Sequence, residues 1–292
     1  MNVLVLCALA LAFGSGIEAA APAVTKQCKS ASGRDFSSLP DEKGNVETAR
    51  KNLAADPKNV DLMMKLASAQ SSVWQYREAV ETCTRVLAIA PENGDAYLER
   101  GHRELGLREF DKAQADLDRA VKLNPKKVDA YYHLGLAHYF LQQFPASAEA
   151  FRHAVDLAPD TDSRINSSNW LYASLRRAKM QDDAKTALAQ ITPDMTTANA
   201  HTRHYLALLR FFQGTMPESQ AIPPEPAAGS TDTEAELKFD TVGYGVGNWY
   251  LYNNQADKAR EYFGRVAKGR VWVTWGYIGS ELELARAKTG LH

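Results

Sequence analysis

The sequence predicts an all-α protein built from stacked helical hairpins, and two observations support that prediction. Prolines recur at a constant interval of 34 residues, at Pro57, Pro91, Pro125 and Pro159. Between them, apolar residues recur at three- and four-residue intervals, which is the period of a helix and not of a strand. A fixed period of this length is typical of a solenoid, because each repeat is too small to bury its own apolar face.

Three windows of the sequence, 60–93, 94–127 and 128–161, show the same order of residue types. An aspartate stands second in each window, where the positive end of a helix dipole favours it. Small residues recur where two helices must approach closely. A proline near the end of each window stops the second helix, because proline lacks an amide proton and clashes with the preceding turn. The recurring residues are Asp61, Asp95 and Asp129; Ala67, Gly101 and Gly135; Tyr76, Phe110 and Phe144; Ala79, Ala113 and Ser147; and Cys83, Leu117 and Phe151.

These repeated residues resemble the tetratricopeptide repeat family. The third window shows the resemblance most fully, with Tyr131, Leu134, Gly135, Ser147, Phe151, Ala154 and Pro159. The resemblance implies a right-handed superhelical solenoid of antiparallel helix hairpins with about 12 to 13 helices. Three residues depart from the family pattern: Arg100 replaces a usual aliphatic residue, and Glu104 and His138 replace usual aromatic ones.

Weaker copies of the pattern extend it on both sides. The predicted elements outside the three windows are a second helix at 46–55, a degenerate repeat at about 165–193, one helix at 198–213, a degenerate repeat at about 240–268 and a capping helix at 273–288. The repeat at about 165–193 fits only if the register slips by three residues after Thr161. The solenoid is therefore expected to occupy residues 42–288.

Two segments lack the repeat pattern. Residues 24–41 are predicted to form a flexible N-terminal linker. Residues 214–236 are rich in proline and glycine and have almost no apolar spacing, so a loop or flexible insertion is expected there.

The first residues are typical of a targeting segment. Val3 to Phe13 is an unbroken apolar run of 11 residues, which suits a signal peptide and is too short to span a membrane. We expect a signal peptide at 1–23, cleaved after Ala23, and a periplasmic or secreted protein. The alternative is an uncleaved tail, since no Lys or Arg precedes the run. Export would permit a disulfide between Cys28 and Cys83, but the apolar repeat position of Cys83 favours a buried thiol.

Composition and motifs exclude several classes of function. The net charge of -1 and pI near 6.7 provide no field that would attract nucleic acid. His201 and His204 lie one helical turn apart, but no third ligand has matching spacing, so no metal site is expected. Nucleophile-elbow, Walker and His-Glu-x-x-His patterns are absent from the sequence. We therefore predict no catalytic residues, no cofactor and no stable membrane span.

The family resemblance implies that the first helix of each hairpin lines a concave groove. The sequence therefore predicts a non-catalytic scaffold that binds a peptide or a partner helix of another polypeptide there. The candidate groove residues are Leu98, His102, Leu105, Tyr132, Leu136, Tyr139 and Phe140, with Arg176 and Arg177 as candidates for attracting an acidic group.

Three alternatives remain open at this stage. The aromatic groove residues also suit packing between neighbouring hairpins, and Arg176 and Arg177 also suit a solvated helix surface. In addition, the chain suits a structural subunit of an envelope or secretion assembly, with contacts through its outer face and the 214–236 insertion.

Overall fold

The structure is a computed structural model that describes residues 24–227 and 229–289. Within these ranges the chain forms fourteen helices and one two-stranded sheet. The elements are β1 (Lys26–Lys29), β2 (Asp35–Ser37), α1 (Asn45–Ala55), α2 (Val60–Ser72), α3 (Tyr76–Ile89), α4 (Gly94–Gly106), α5 (Phe110–Leu123), α6 (Val128–Phe140), α7 (Phe144–Asp156), α8 (Thr161–Arg177), α9 (Gln181–Ala189), α10 (Thr202–Phe212), α11 (Glu218–Ala221), α12 (Thr233–Tyr252), α13 (Ala256–Val266) and α14 (Trp275–Thr289). The expected signal peptide lies outside the described residues.

The predicted all-α solenoid of antiparallel helix hairpins is confirmed. Consecutive helices pack on each other from α1 through α9, and α12, α13 and α14 form a second packed group. Helix α10 links the two groups because it packs on both α8 and α12. We call α2, α4, α6 and α8 the first helices, and α3, α5, α7 and α9 the second helices. None of the described helices is long and apolar enough to cross a membrane.

A left-handed residue marks the turn between the two helices of each hairpin. These residues are Trp74, Arg108, Gln142, Lys179 and Asn254, each with a positive φ. A single residue in this conformation ends a helix and reverses the chain. The next helix begins two residues later in every case. The first three turns are 34 residues apart, and the fourth follows after 37, which places the expected three-residue slip in the fourth hairpin.

Small residues allow the paired helices to touch. A Cβ atom added to Gly135 would lie 2.7 Å from the Phe151 ring, and one added to Gly101 would lie 2.8 Å from Leu117. The same relation holds between Gly247 and Phe263, at 2.7 Å. These distances are shorter than real contacts, so no larger side chain fits without movement. The small residues that follow each turn are also buried: Ala79, Ala113, Ser147, Ala184 and Ala259.

The expectation of a flexible linker at 24–41 is wrong. Strands β1 and β2 pair antiparallel in this segment. Phe36 is only 3% exposed, and its ring stacks on Trp272 at a centroid distance of 5.2 Å. Strand pairing and the contact between Phe36 and Trp272 therefore hold this segment in place. Trp272 is 236 positions away in the sequence, so local sequence patterns do not reveal the contact. Cys28 in β1 and Cys83 in α3 are both buried, and they form no disulfide.

The 214–236 insertion is more ordered than its composition indicates. It contains the short helix α11, and its last four residues already belong to α12. The hydroxyls of Tyr250 and Tyr262 both donate to the Glu218 carboxylate, which fastens α11 to α12 and α13. The proline-rich composition predicts the loop on either side of α11 but not these long-range contacts.

Substituting Gly135 with alanine should destabilise the protein by about 1 to 3 kcal/mol, because the added methyl group overpacks the contact with Phe151. Gly264 in α13 provides a matched control, since an added Cβ there meets nothing within 4 Å. Gly264→Ala should stabilise by up to about 1 kcal/mol through helix propensity alone. Urea denaturation of both variants measures whether each substitution lowers or raises the free energy of unfolding. Equal effects of the two substitutions would show that Gly135 is not held by close packing.

Candidate interaction surface on the inner face

The inner face of the stack is formed by the first helices. The N-terminal end of α14 lies across this face. The Trp275 ring lies 5.3 Å from the His102 ring and 5.9 Å from the His133 ring, measured between centroids. It also lies 6.4 Å from the Phe140 ring. The predicted capping helix therefore covers part of the groove as well as the end of the stack.

Two buried ion pairs hold α14 in this position. Arg108 Nε donates to Glu281 Oε1 at 2.6 Å, and Arg177 Nη1 donates to Glu283 Oε1 at 2.9 Å. Arg286 donates both to Glu283 and to the Phe140 carbonyl oxygen. Removing one partner of such a pair would leave an uncompensated buried charge, which costs about 3 to 5 kcal/mol. These contacts therefore fix where α14 lies on the first helices.

Helix α12 covers the neighbouring part of the inner face. Asn248 Nδ2 donates to the Tyr139 hydroxyl at 2.6 Å. The Tyr244 ring lies 5.8 Å from the Trp170 ring of α8. Helix α12 therefore covers the side chains of Tyr139 in α6 and Trp170 in α8.

The N-terminal hairpin closes the same groove from the other side. The Arg108 guanidinium lies 4.9 Å from the Phe36 ring centroid and 5.5 Å from that of Trp272. Trp272 Nε1 donates to the Ser37 carbonyl oxygen at 3.0 Å. One arginine therefore contacts β2, the loop before α14 and α14 itself.

Four of the predicted groove residues are inaccessible. Leu105, Leu136, Tyr139 and Phe140 are each at most 3% exposed. This burial contradicts the expectation that they face an open groove. Their aromatic and aliphatic side chains pack against neighbouring hairpins and the chain's own C-terminal helices, which is the packing alternative that the sequence left open.

The remaining predicted site residues are partly covered. Leu98, His102 and Tyr132 are half-buried. Arg176 Nη2 donates to Asn253 Oδ1 at 2.8 Å, and its guanidinium lies 4.4 Å from the Tyr252 ring centroid. Because Arg177 pairs with Glu283, both arginines hold α8 against the C-terminal hairpin instead of presenting charge to a ligand.

One part of the inner face stays open. We define the acidic strip as Asp61, Asp95 and Asp129 together with Met64 and Leu98. The three aspartates are exposed, and the two apolar side chains are half-buried. Equivalent positions on neighbouring first helices form a row, since α4 packs on both α2 and α6. Asp95 makes an ion pair with Lys127 at 3.0 Å, in which both side chains remain solvent-accessible.

Two of the three departures from the family pattern, Arg100 and Glu104, form a polar cluster with Asp116. Arg100 donates to both Asp116 oxygens, at 2.5 and 2.8 Å. Burial raises the pKa of Glu104 to about 8, and the nearby Asp116 carboxylate adds to the effect. Sequence reasoning noted Arg100 and Glu104 but did not connect them with Asp116, which follows on the paired helix. The sequence did contain a signal for this cluster: Arg100 and Asp116 carry opposite charges at positions where the two helices of a hairpin normally pack together.

His102 and His133 stack with their ring centroids 4.0 Å apart. Burial lowers the pKa of both imidazoles, and that of His133 falls to about 4. The Arg103 guanidinium beside them further disfavours protonation, while Glu99 and Asp129 act in the opposite direction on His133. The Trp275 ring therefore packs against a pair of neutral imidazoles.

The contribution of His102 and His133 to stability should fall as the pH drops through the usual histidine range, whereas the raised pKa values of Glu104 and Asp240 act in the opposite direction. The folded-state pKa values of the two histidines lie below the unfolded value, so the unfolded chain binds these protons first. We expect the difference in free energy of unfolding between the wild type and a variant without these two histidines to decrease by at least about 1.4 kcal/mol, the equivalent of one pKa unit, between about pH 7 and pH 4.5. The double variant His102→Gln, His133→Gln should lose much of this dependence, whereas the control His138→Gln should keep it. Parallel pH profiles for the double variant and the wild type would contradict the assignment.

Within the described residues, no group of three His, Cys, Asp or Glu side chains is arranged to hold a metal ion. The two histidines noted in the sequence, His201 and His204, lie at the start of α10, and burial lowers the pKa of both.

Comparison with known proteins matches part of the chain to a family model. Residues 98–161 match the profile of the family described as tetratricopeptide repeat, which confirms the resemblance inferred from the repeated residues. No curated protein matches the chain.

Several solved structures are similar in fold. YrrB, described as a TPR protein with an unusual peptide-binding site, is 16% identical, with 76% of this chain and 92% of that chain covered and a TM-score of 0.47. MamA from Desulfovibrio magneticus RS-1 is 23% identical, with 51% and 82% covered and a TM-score of 0.46. PilF from Pseudomonas aeruginosa is 16% identical, with 77% and 85% covered and a TM-score of 0.44.

Proposed function

We propose that this chain, whose residues 98–161 match the tetratricopeptide repeat, is a non-catalytic scaffold that binds another polypeptide. The observation that supports this proposal is the acidic strip: a row of exposed carboxylates and half-buried apolar side chains on rigidly packed helices. A preformed surface loses little ordering entropy on association, so modest contacts suffice for binding.

The acidic strip favours a partner segment with basic residues. Among the described residues, the exposed large hydrophobic side chains are Val24 and Ile89, and neither belongs to the strip. Recognition there therefore depends mainly on charge, with Met64 and Leu98 available for one apolar side chain. Interactions between exposed charges weaken beyond about 8 Å at physiological ionic strength, so binding should be salt-sensitive.

The covered part of the groove acts as a support for the strip. A peptide that entered beneath α14 would have to separate Arg108 from Glu281 and Arg177 from Glu283. Breaking buried pairs of this kind is much more costly than contacting exposed aspartates. The partner-binding role expected for Leu105, Leu136, Tyr139 and Phe140 is therefore indirect: they hold the first helices in place.

Neutralising the strip should weaken partner binding about tenfold. We take the triple variant Asp61→Asn, Asp95→Asn, Asp129→Asn, with about 0.5 kcal/mol lost for each exposed charge contact. The matched control is Asp111→Asn, Glu149→Gln, Asp183→Asn, which removes the same charge from exposed positions of the second helices. Affinity capture from the native cell with quantitative mass spectrometry identifies the partner, and titration then gives the dissociation constants.

Weaker partner binding in the strip variant, with unchanged binding in the control variant, supports the proposal. Equal loss in both triple variants would mean that only net charge matters, and unchanged capture in the strip variant would place the interface elsewhere.

Assembly through the 214–236 insertion is not proposed. Contacts of Glu218 with Tyr250 and Tyr262 turn this segment toward its own chain.

Export remains part of the proposal. Strand β1 begins at Lys26, after the expected cleavage point at Ala23, so removal of residues 1–23 would leave the N-terminal hairpin intact. N-terminal sequencing of protein recovered through a C-terminal tag should start at Val24. Leu6→Arg interrupts the apolar run and should prevent processing. Wild-type protein that retains Met1 in the cytoplasmic fraction would contradict export.

A further inference from the structure

A cavity of about 440 Å³ lies between α12, α13 and the residues that precede α12. It is separate from the acidic strip and from the groove under α14. Its walls include Phe239, Asp240, Val266, Gly269 and Arg270.

Asp240 is the buried acid of this cavity. Asp240 is only 1% exposed. Oδ2 accepts a hydrogen bond from Thr274 Oγ1 at 2.7 Å, and among the described residues no group donates to Oδ1. A Cβ atom added to Gly269 would lie 3.7 Å from Oδ1, so the missing side chain of this glycine leaves the oxygen open toward the cavity. This oxygen faces the cavity, so a ligand bound there would be able to donate to it.

The other charged groups of the cavity already have partners, apart from Lys268 at its rim. Glu236 accepts from Arg270 Nε at 3.0 Å and from the backbone amides of Arg270 and Val271. Arg265 Nε pairs with Glu225 at 2.8 Å. Lys268 is exposed at the rim. Burial, with the Glu236 charge as a further contribution, raises the pKa of Asp240 to about 8, while the Thr274 hydrogen bond acts to lower it. The cavity therefore contains one carboxyl group that lacks a paired countercharge and has one oxygen without a donor.

We propose that this cavity binds an organic cation, a primary ammonium or a guanidinium group, which donates to Asp240 Oδ1. Such a group supplies both the missing hydrogen bond and the missing positive charge. Two sources offer this chemistry: a free amine in solution, or a Lys or Arg side chain of the partner polypeptide. The second source rests on the proposed scaffold function.

The test is calorimetric titration of the purified full chain with n-butylammonium and with methylguanidinium. Wild type should show saturable binding of at least one cation, and Asp240→Asn should weaken it at least tenfold. Thr274→Val removes the neighbouring hydroxyl but leaves Oδ1 in place, so it should retain binding. Melting temperatures establish that each variant is folded. The wild type alone provides a second readout: affinity should rise between about pH 6 and pH 9, as Asp240 loses its proton.

Partner capture with Asp240→Asn then distinguishes the two sources. Reduced capture assigns the cavity to a basic side chain of the partner, and unchanged capture assigns it to a free amine. The absence of saturable cation binding to wild type over this pH range, or equal binding to folded Asp240→Asn, would overturn the proposal. Because the titration needs no partner, its failure is distinguishable from failure of the scaffold function.

Discussion

The pairing of α14 with the first helices determines the form of this protein. Arg108 and Glu281, together with Arg177 and Glu283, join residues that are 173 and 106 positions apart. A solenoid whose repeats contact only their neighbours has an open inner face. Here the ion pairs and Trp275 bring α14 onto that face, so that among the described residues the inner face is partly covered and the acidic strip stays exposed.

Buried ion pairs contribute to the geometry more than to the stability. Desolvating two charges offsets most of their attraction, so a hydrophobic contact of equal volume stabilises at least as well. An ion pair nevertheless disfavours every position of the helix in which either charge is buried without its partner. For α14, which has apolar residues on several sides, the two pairs select one position among several that apolar packing alone would allow.

The periodic part of this fold could be predicted from sequence because its causes are local. Gly101 and Gly135 stand at fixed intervals from Leu117 and Phe151, and the turns at Trp74, Arg108 and Gln142 repeat with the same period. The closure could not be predicted in the same way. Phe36 and Trp272 are in contact although they lie 236 positions apart in the chain, so no local pattern indicates that they pair. The aromatic character of Tyr139 and Phe140 was visible, but a sequence does not say whether a partner or the chain itself covers an apolar surface.

Departures from a repeat pattern carry information of their own. Arg100 and Glu104 interrupt the apolar positions of α4, and the structure places Asp116 of α5 beside them. A lone arginine at such a position would be buried without a countercharge, so the acid on the paired helix is a physical requirement. The same logic applies to Asp240, whose Thr274 hydrogen bond satisfies only one oxygen. In a stack of otherwise apolar interfaces, a polar residue with complete partners stabilises one arrangement of the chain, and one with an open oxygen beside a cavity indicates a binding site.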